Sequence, residues 1–265
     1  MRARSATVLL TAAVLAGCSG KPGLAPSSIT HQITILAASS LKAALSAAAT
    51  EYQRTHSGIA ITLSFDASSA LRAKIEQGAP ADAFASADVT NAQKLVDDGF
   101  AVGPAQRFAG NRLAIVVPSD NAARVISPAD LARSGLRLIA AGESVPITLY
   151  ANQLVAALAQ QAGYPADYAE KVTANVVSRE DNVAAILAKV ALGEGDAGIV
   201  YRTDALGSAS VREIPLPAGV NVVVTYAAVV VKASTQTDAA RAFLSWLAGA
   251  GGQAVLGRFG FVAPQ

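Results

Sequence analysis

The chain predicts an α/β fold, with two mostly parallel sheets flanked by helices. β-prone apolar runs alternate with amphipathic helical stretches from Ile29 onward, the pattern of strands joined by helical crossovers. The alternation falls into two sets of about three units each, which argues for two sheets. Of the 265 residues, 52% are hydrophobic and only 15% charged, enough apolar surface for a sizeable core and too much for disorder.

The elements follow in order. Ile33–Ala37 reads as a strand, and Leu41–Tyr52 as a helix with Leu41, Ala44, Leu45, Ala48 and Tyr52 on one face. Ile59–Phe65 is a second strand. Ser69–Gln77 is a short helix stopped by Gly78. Ala83–Ala85 is a brief buried strand, Val89–Asp97 a helix ending at Gly99, and Leu113–Val117 a strand stopped by Pro118. The second set opens with a short helix, Pro128–Arg133, and a strand, Arg137–Ala141. Pro146 suits the start of a helix over Ile147–Ala162. Ala174–Val177 is a strand, Asn182–Leu192 a helix with Gly193 as its stop, and Ala197–Tyr201 a strand. An apolar run, Val220–Val231, breaks near Thr225-Tyr226, and Thr237–Leu247 is the final helix.

The N-terminus reads as an address. Arg2 and Arg4 form a positive region, and Ala6 to Ala16 an apolar stretch too short to span a bilayer. It ends in Leu15-Ala16-Gly17-Cys18, which resembles the bacterial lipobox. That resemblance implies a signal peptide over 1–17, cleavage before Cys18 and lipid on its sulfur. An ordinary signal peptide with a chance cysteine is the alternative. Residues 18–28, rich in Gly, Pro and Ser, read as a tether from the membrane to the globule. Cys18 is the only cysteine, so no intrachain disulfide and no cysteine metal site can form. The formal charge is only +2 and no basic stripe appears, which argues against a nucleic-acid partner.

Two motifs lead away from enzymes. Gly193-Glu194-Gly195-Asp196-Ala197-Gly198 spells GxGxxG, but it follows a helix and opens a strand, the reverse of a dinucleotide site. The only two histidines are His31, beside the tether, and His56, near a helix end, and no G-x-S-x-G elbow is present. The helix starts carry more. Ser40 and Ser68 each stand where an apolar run meets a helix, and serine there is a natural N-cap. Ile147 follows Pro146 at a third start, and Val183 follows Asp181-Asn182 at a fourth. Each start has unpaired N–H groups and the positive end of a helix dipole. In open α/β sheets such corners gather at the strand carboxyl ends, where ligands bind. An anion could be held there, although each corner taken singly reads as a capped helix, and caps alone do not establish a site.

The chain resembles the molybdate-binding proteins of bacterial ABC importers. The motifs that carry the likeness include Ala37-Ala38-Ser39-Ser40-Leu41, Ala67-Ser68-Ser69-Ala70-Leu71 and Gly110-Asn111-Arg112-Leu113. Val145-Pro146-Ile147, Asp181-Asn182-Val183 and Gly195–Tyr201 continue it, and Phe259-Gly260-Phe261 lies near its end. The resemblance implies a type II periplasmic-binding-protein fold, with two α/β lobes joined by two crossovers that close on a tetrahedral oxyanion. Lobe 1 would comprise 29–111 and 225–265, and lobe 2 would comprise 112–224. The family's ligand contacts fall on Ser40, Ser68, the amides of Ile147 and Val183, and the hydroxyl of Tyr201; any metal is present only as molybdenum in that oxyanion.

The implied function is capture of molybdate, with tungstate, by hinge closure and delivery to a permease driven by an ATPase. The chain would be a lipid-anchored monomer on the outer face of the cell membrane, with no catalysis and no cofactor. A donor-only site accepts a fully deprotonated oxyanion and rejects monohydrogen phosphate, whose proton would face a donor. Sulfate is deprotonated too, so a sulfate or other oxyanion binder is the nearest alternative. A serine-dependent hydrolase on the same fold is the alternative from another class. Three departures mark this chain. Ser39 stands where alanine is common in the family. Asp66 puts a carboxylate beside the second serine corner. Thr148 replaces a small residue after Ile147.

Overall fold

The computed structural model describes residues 30–265, so the signal peptide, Cys18 and the tether lie outside the described residues. The first half builds around β1 (His31–Ala38), with β2 (Ile59–Asp66) and β3 (Ala83–Ser86) parallel on either side. Ile33 and Ile35 are fully buried, as expected for a central strand covered by helices on both faces. A 3-10 turn, Ser39–Leu41, leads from β1 into α1 (Lys42–Thr55); α2 (Ser68–Glu76) follows β2 and α3 (Val89–Asp97) follows β3. The strand β4 (Ala101–Pro118) then runs for 18 residues.

The second half follows. A 3-10 turn, Pro128–Ala132, precedes β5 (Leu138–Ala141), α4 (Pro146–Ala159) and α5 (Tyr168–Ala174). Next come β6 (Val176–Glu180), α6 (Val183–Ala191), β7 (Ala197–Tyr201), α7 (Arg202–Leu206) and β8 (Val211–Ile214). The chain returns through β9 (Val223–Val231) and closes with α8 (Thr237–Ala248) and α9 (Ala250–Arg258). No helix of the described residues is long and apolar enough to cross a membrane.

The two sheets expected are present, and the pairing shows how they are joined. The strands form one hydrogen-bonded path, β2-β1-β3-β9-β4-β7-β5-β6, with β8 on β4. The cause is β4, which serves both halves. Its residues from Ala101 to Arg112 pair antiparallel with β9, and from Leu113 onward it pairs with β7 and β8. The parallel pairs are β1 with β2 and β3, and β5 with β6 and β7. All pairings of β4 and β9 are antiparallel.

The GxGxxG glycines serve packing. Gly193 has φ +73° just past the end of α6, the left-handed stop that glycine adopts freely. A methyl group on Gly198 would lie 2.8 Å from Ile186 Cγ2, so its absence lets α6 sit on β7. The same logic explains α9, which the sequence reading omitted. Gly251, Gly252 and Gly257 lower its helix propensity, yet it forms because it packs closely on α8. A Cβ at Gly252 would collide with the backbone of Leu247, whereas one at Gly257 meets nothing within 4 Å.

Gly252→Ala should therefore destabilise the fold by about 1–3 kcal/mol, against the sign of helix propensity. Gly257→Ala should stabilise it by about 0.5–1 kcal/mol. Urea unfolding of both variants checks the pair, and equal effects at the two positions would contradict the packing.

Candidate functional site

The carboxyl ends of β1, β2 and β7 and the starts of α2, α4 and α6 meet at one small pocket. Ser40, Ser68, Ile147, Val183 and Tyr201 all line it. The five predicted positions come from five separate segments, and the structure brings all of them together. The cavity volume is only about 10 Å³, the space of about one water-sized sphere. That is far below the roughly 300–1,000 Å³ typical of sites for drug-sized ligands, so this is a site for a small ligand.

Neither serine caps its helix, contrary to the expectation from sequence. The position before α2 is Ala67 and that before the first 3-10 turn is Ala38, and neither helix start has a side-chain cap. Ser68 is instead the first residue of α2. From there its Oγ accepts the Ala87 N–H at 3.0 Å, across to the turn after β3. Ser40 Oγ lies 2.9 Å from Tyr226 Oη on β9. Of the helix starts that line the pocket, that of α6 is capped, with Asn182 accepting the Ala185 N–H at 3.1 Å. Ile147 and Val183 sit in the first turns of α4 and α6, where backbone N–H groups lack intrahelical acceptors.

Tyr201 ends β7 and is only 1% exposed. Its hydroxyl is buried with no hydrogen-bond partner among the described residues. Burial pushes its pKa well above the ordinary tyrosine value, so it keeps its proton and can donate. A buried hydroxyl without a partner costs about 1–3 kcal/mol. The ring is fixed edge-on to Tyr226 at 5.6 Å between centroids.

Asp66 is the one charged residue that lines the pocket. Its carboxylate is engaged away from the centre. Oδ1 accepts the Ala67 N–H at 2.8 Å, and Oδ2 pairs with Lys74 at 2.9 Å. Asn182 Nδ2 approaches Oδ1 to 3.5 Å from the opposite wall. Burial pushes its pKa up, but Lys74 and the Ala67 N–H outweigh burial and hold it below the usual carboxylate range. Thr148 also turns away, donating to the carbonyls of Ala141 at 3.2 Å and Gly142 at 2.8 Å.

The geometry gives neither serine a general base. Ser68 Oγ faces an N–H donor and Ser40 Oγ a phenol. His31 Nδ1 contacts Gln236, and His56 stacks on Tyr52 at 3.9 Å.

Several residues around the site escaped the sequence reading. Asn111 and Tyr226 lie behind Ser40, and Asn111 Nδ2 donates to Thr203 Oγ1 at 2.9 Å and Tyr226 Oη at 3.3 Å. Asn111 was visible only as part of a family motif, and Tyr226 only as a break in an apolar run. Asp204, on α7, left no signal at all. Its Oδ2 is buried without a partner among the described residues, and burial pushes its pKa up to about 7.

A sheet shared between two α/β halves, with a small donor-lined pocket where their strand ends meet, defines the solute-binding class of protein. A model of bacterial extracellular solute-binding proteins matches residues 33–262, and the chain belongs to that family. It is 32% identical over 262 residues to the molybdate-binding protein ModA of Mycobacterium tuberculosis (strain H37Rv), spanning 97% of this chain and 96% of that protein. It is 33% identical over 257 residues to the putative ABC transporter substrate-binding lipoprotein YvgL of Bacillus subtilis, spanning 96% and 95%. The Azotobacter vinelandii periplasmic molybdate-binding protein superposes with a TM-score of 0.71 at 26% identity, covering 88% of this chain and 100% of that one. The sulfate-binding protein SubI of Mycobacterium tuberculosis H37Rv shares the fold, with a TM-score of 0.77 at 21% identity over 87% of this chain and 86% of that one. The family resemblance in the sequence and the periplasmic-binding-protein fold are borne out.

Asp204 makes stability depend on pH. The folded chain holds its proton up to about 7, against an ordinary value of 3.8. Between those values the folded state binds more protons than the unfolded one, so raising the pH removes stability, and the loss is complete above about 7. Asp66, Asp130, Glu180 and Asp196 are held low, so their stabilisation is lost only as the pH falls below the ordinary carboxylate range. Asp204→Asn should flatten the fall in stability between about pH 4 and 7, read by urea unfolding at stepped pH. An unchanged slope would place the titration elsewhere.

Proposed function

We propose that this chain captures molybdate, and tungstate with it, outside the cytoplasm and delivers it to an ABC permease powered by an ATPase. The observation that carries the reading is the Tyr201 hydroxyl, buried and unpaired among the described residues, on a pocket also lined by Ser40, Ser68 and the helix starts at Ile147 and Val183, where the one carboxylate, Asp66, is engaged by Lys74. A tetrahedral oxyanion offers acceptors in every direction and would take the protons of Ser40, Ser68 and Tyr201 together with the amides of Ile147 and Val183. Burying a dianion is costly unless it is well hydrogen-bonded. Hydrogen bonds to a charged acceptor are stronger than neutral ones, so fixed neutral donors can meet that cost without a counter-charge.

The binding cycle is a hinge closure of two lobes, 29–111 with 225–265 and 112–224, about β4 and β9. The chain acts as a monomer, held to the outer face of the cell membrane by lipid on Cys18. It binds and releases its solute without chemical change. The small pocket and the names of the curated relatives support molybdate. Sulfate is the second reading, since it too is fully deprotonated and SubI shares the fold.

Titration calorimetry of the soluble domain with molybdate, tungstate, sulfate and phosphate tests this. Molybdate and tungstate should bind tightly, sulfate more weakly and phosphate least. Molybdate binding no tighter than sulfate would overturn the specific claim. Ester hydrolysis abolished by Ser68→Ala would favour the enzyme reading.

Tyr201→Phe should weaken molybdate about tenfold or more, the scale of a charge-assisted hydrogen bond. It should also leave the ligand-free protein as stable as before or about 1 kcal/mol more stable, because an unpaired hydroxyl is removed. Thermal unfolding with and without molybdate measures both. A large loss of ligand-free stability would make the hydroxyl structural instead.

A further inference from the structure

Behind Ser40 lies a chain of hydrogen bonds whose direction can be read. Arg112 N–H donates to Asn111 Oδ1 at 2.8 Å, which fixes the amide so that its NH2 group points the other way. The two Nδ2 protons then go to Thr203 Oγ1 at 2.9 Å and to Tyr226 Oη at 3.3 Å. Tyr226 Oη therefore accepts from Asn111. Its own proton has one remaining neighbour, Ser40 Oγ at 2.9 Å. If Ser40 donated instead, the Tyr226 proton would be buried without an acceptor, which costs about 1–3 kcal/mol. The ring leaves little freedom. Tyr226 is fully buried and meets Phe108, Tyr201 and Phe261 edge-on at centroid distances of 6.2, 5.6 and 5.4 Å.

We infer that Asn111 and Tyr226 are positioning residues that set the proton direction at Ser40, so that its hydroxyl presents a hydrogen to the pocket and never only a lone pair. The proposal rests on the oxyanion reading and deepens it. Ser68 reaches the same state by a shorter route, since its Oγ accepts the Ala87 N–H and its proton is left for the pocket. Tyr201 has no other partner among the described residues. All three hydroxyls are thus donors before any ligand arrives. A ligand that carries its own proton meets hydrogen against hydrogen, and a fully deprotonated oxyanion meets only partners. The relay also polarises Ser40, because a hydroxyl that accepts a hydrogen bond donates a stronger one.

Asn111 and Tyr226 both lie on the strands that join the two halves, close to the register pair Asn111–Val224. The groups that orient Ser40 therefore sit on the antiparallel β4–β9 pair that joins the two halves, and neither is among the residues that line the pocket.

The test is a double-mutant cycle between Tyr226→Phe and Ser40→Ala, read by calorimetry with molybdate, sulfate and phosphate. Tyr226→Phe keeps the ring and removes the donor. It should weaken molybdate about tenfold when Ser40 is present and less than about twofold in the Ser40→Ala background. With its donor gone, Ser40 can turn and accept, so the ratio of molybdate to phosphate affinity should also fall. Asn111→Leu, which removes the amide donor, should shift the same ratio in the same direction and covers the case in which Tyr226→Phe folds poorly. Equal losses in both Ser40 backgrounds, or an unchanged ratio, would overturn the relay. A wild-type chain that binds none of the three anions would instead overturn the oxyanion reading on which it stands.

Discussion

The pocket has no Lys or Arg among the residues that line it, and the rest of the site answers that constraint. An anion taken out of water needs its lone pairs occupied. Without a counter-charge, the work falls to neutral N–H and O–H groups, and each must be aimed before the ligand comes. Backbone amides can be aimed only where a helix begins, because elsewhere they are spent on the helix or the sheet. Parallel strands feeding helices bring several such starts to one edge. The fold thus meets the same demand as the side chains, and the role proposed for Ile147 and Val183 runs through backbone, since their apolar side chains are buried.

How much of this could be read from the chain differs by residue. The strand-to-helix corners were legible because they are local: an apolar run, a small polar residue and a helical period lie within a few positions of each other. The role of the serines within those corners was not. Ser68 stands one position into the helix, and what decides between cap and free donor is its contact with Ala87, 19 residues on. For Ser40 the deciding partner is 186 residues away. Local sequence fits both readings, and only long-range contacts separate them.

The first half of β4 escaped for a similar reason. The stretch from Ala101 to Phe108 carries Gly103 and Pro104 and lacks an apolar run, yet it pairs with β9 across two irregularities in register. Strand character there comes from its neighbour and not from propensity. Asp66 shows the opposite case. As a lone carboxylate beside the site it looked hostile to an anion, but Lys74 stands one helical face away and draws it aside. Asp204 is the harder lesson. Its burial depends on α7 folding back after β7, and nothing in the order of residues marks that turn.

The unpaired hydroxyl of Tyr201 ties these points together. Without a partner it costs about 1–3 kcal/mol. A suitable anion removes that cost and adds a charge-assisted bond in its place. A ligand can shift a conformational equilibrium only by its differential affinity for the two states, and under the proposed closure this atom would supply such a difference. On the proposed reading, one group therefore serves both binding and hinge closure, provided that the ligand can accept a hydrogen bond from every side.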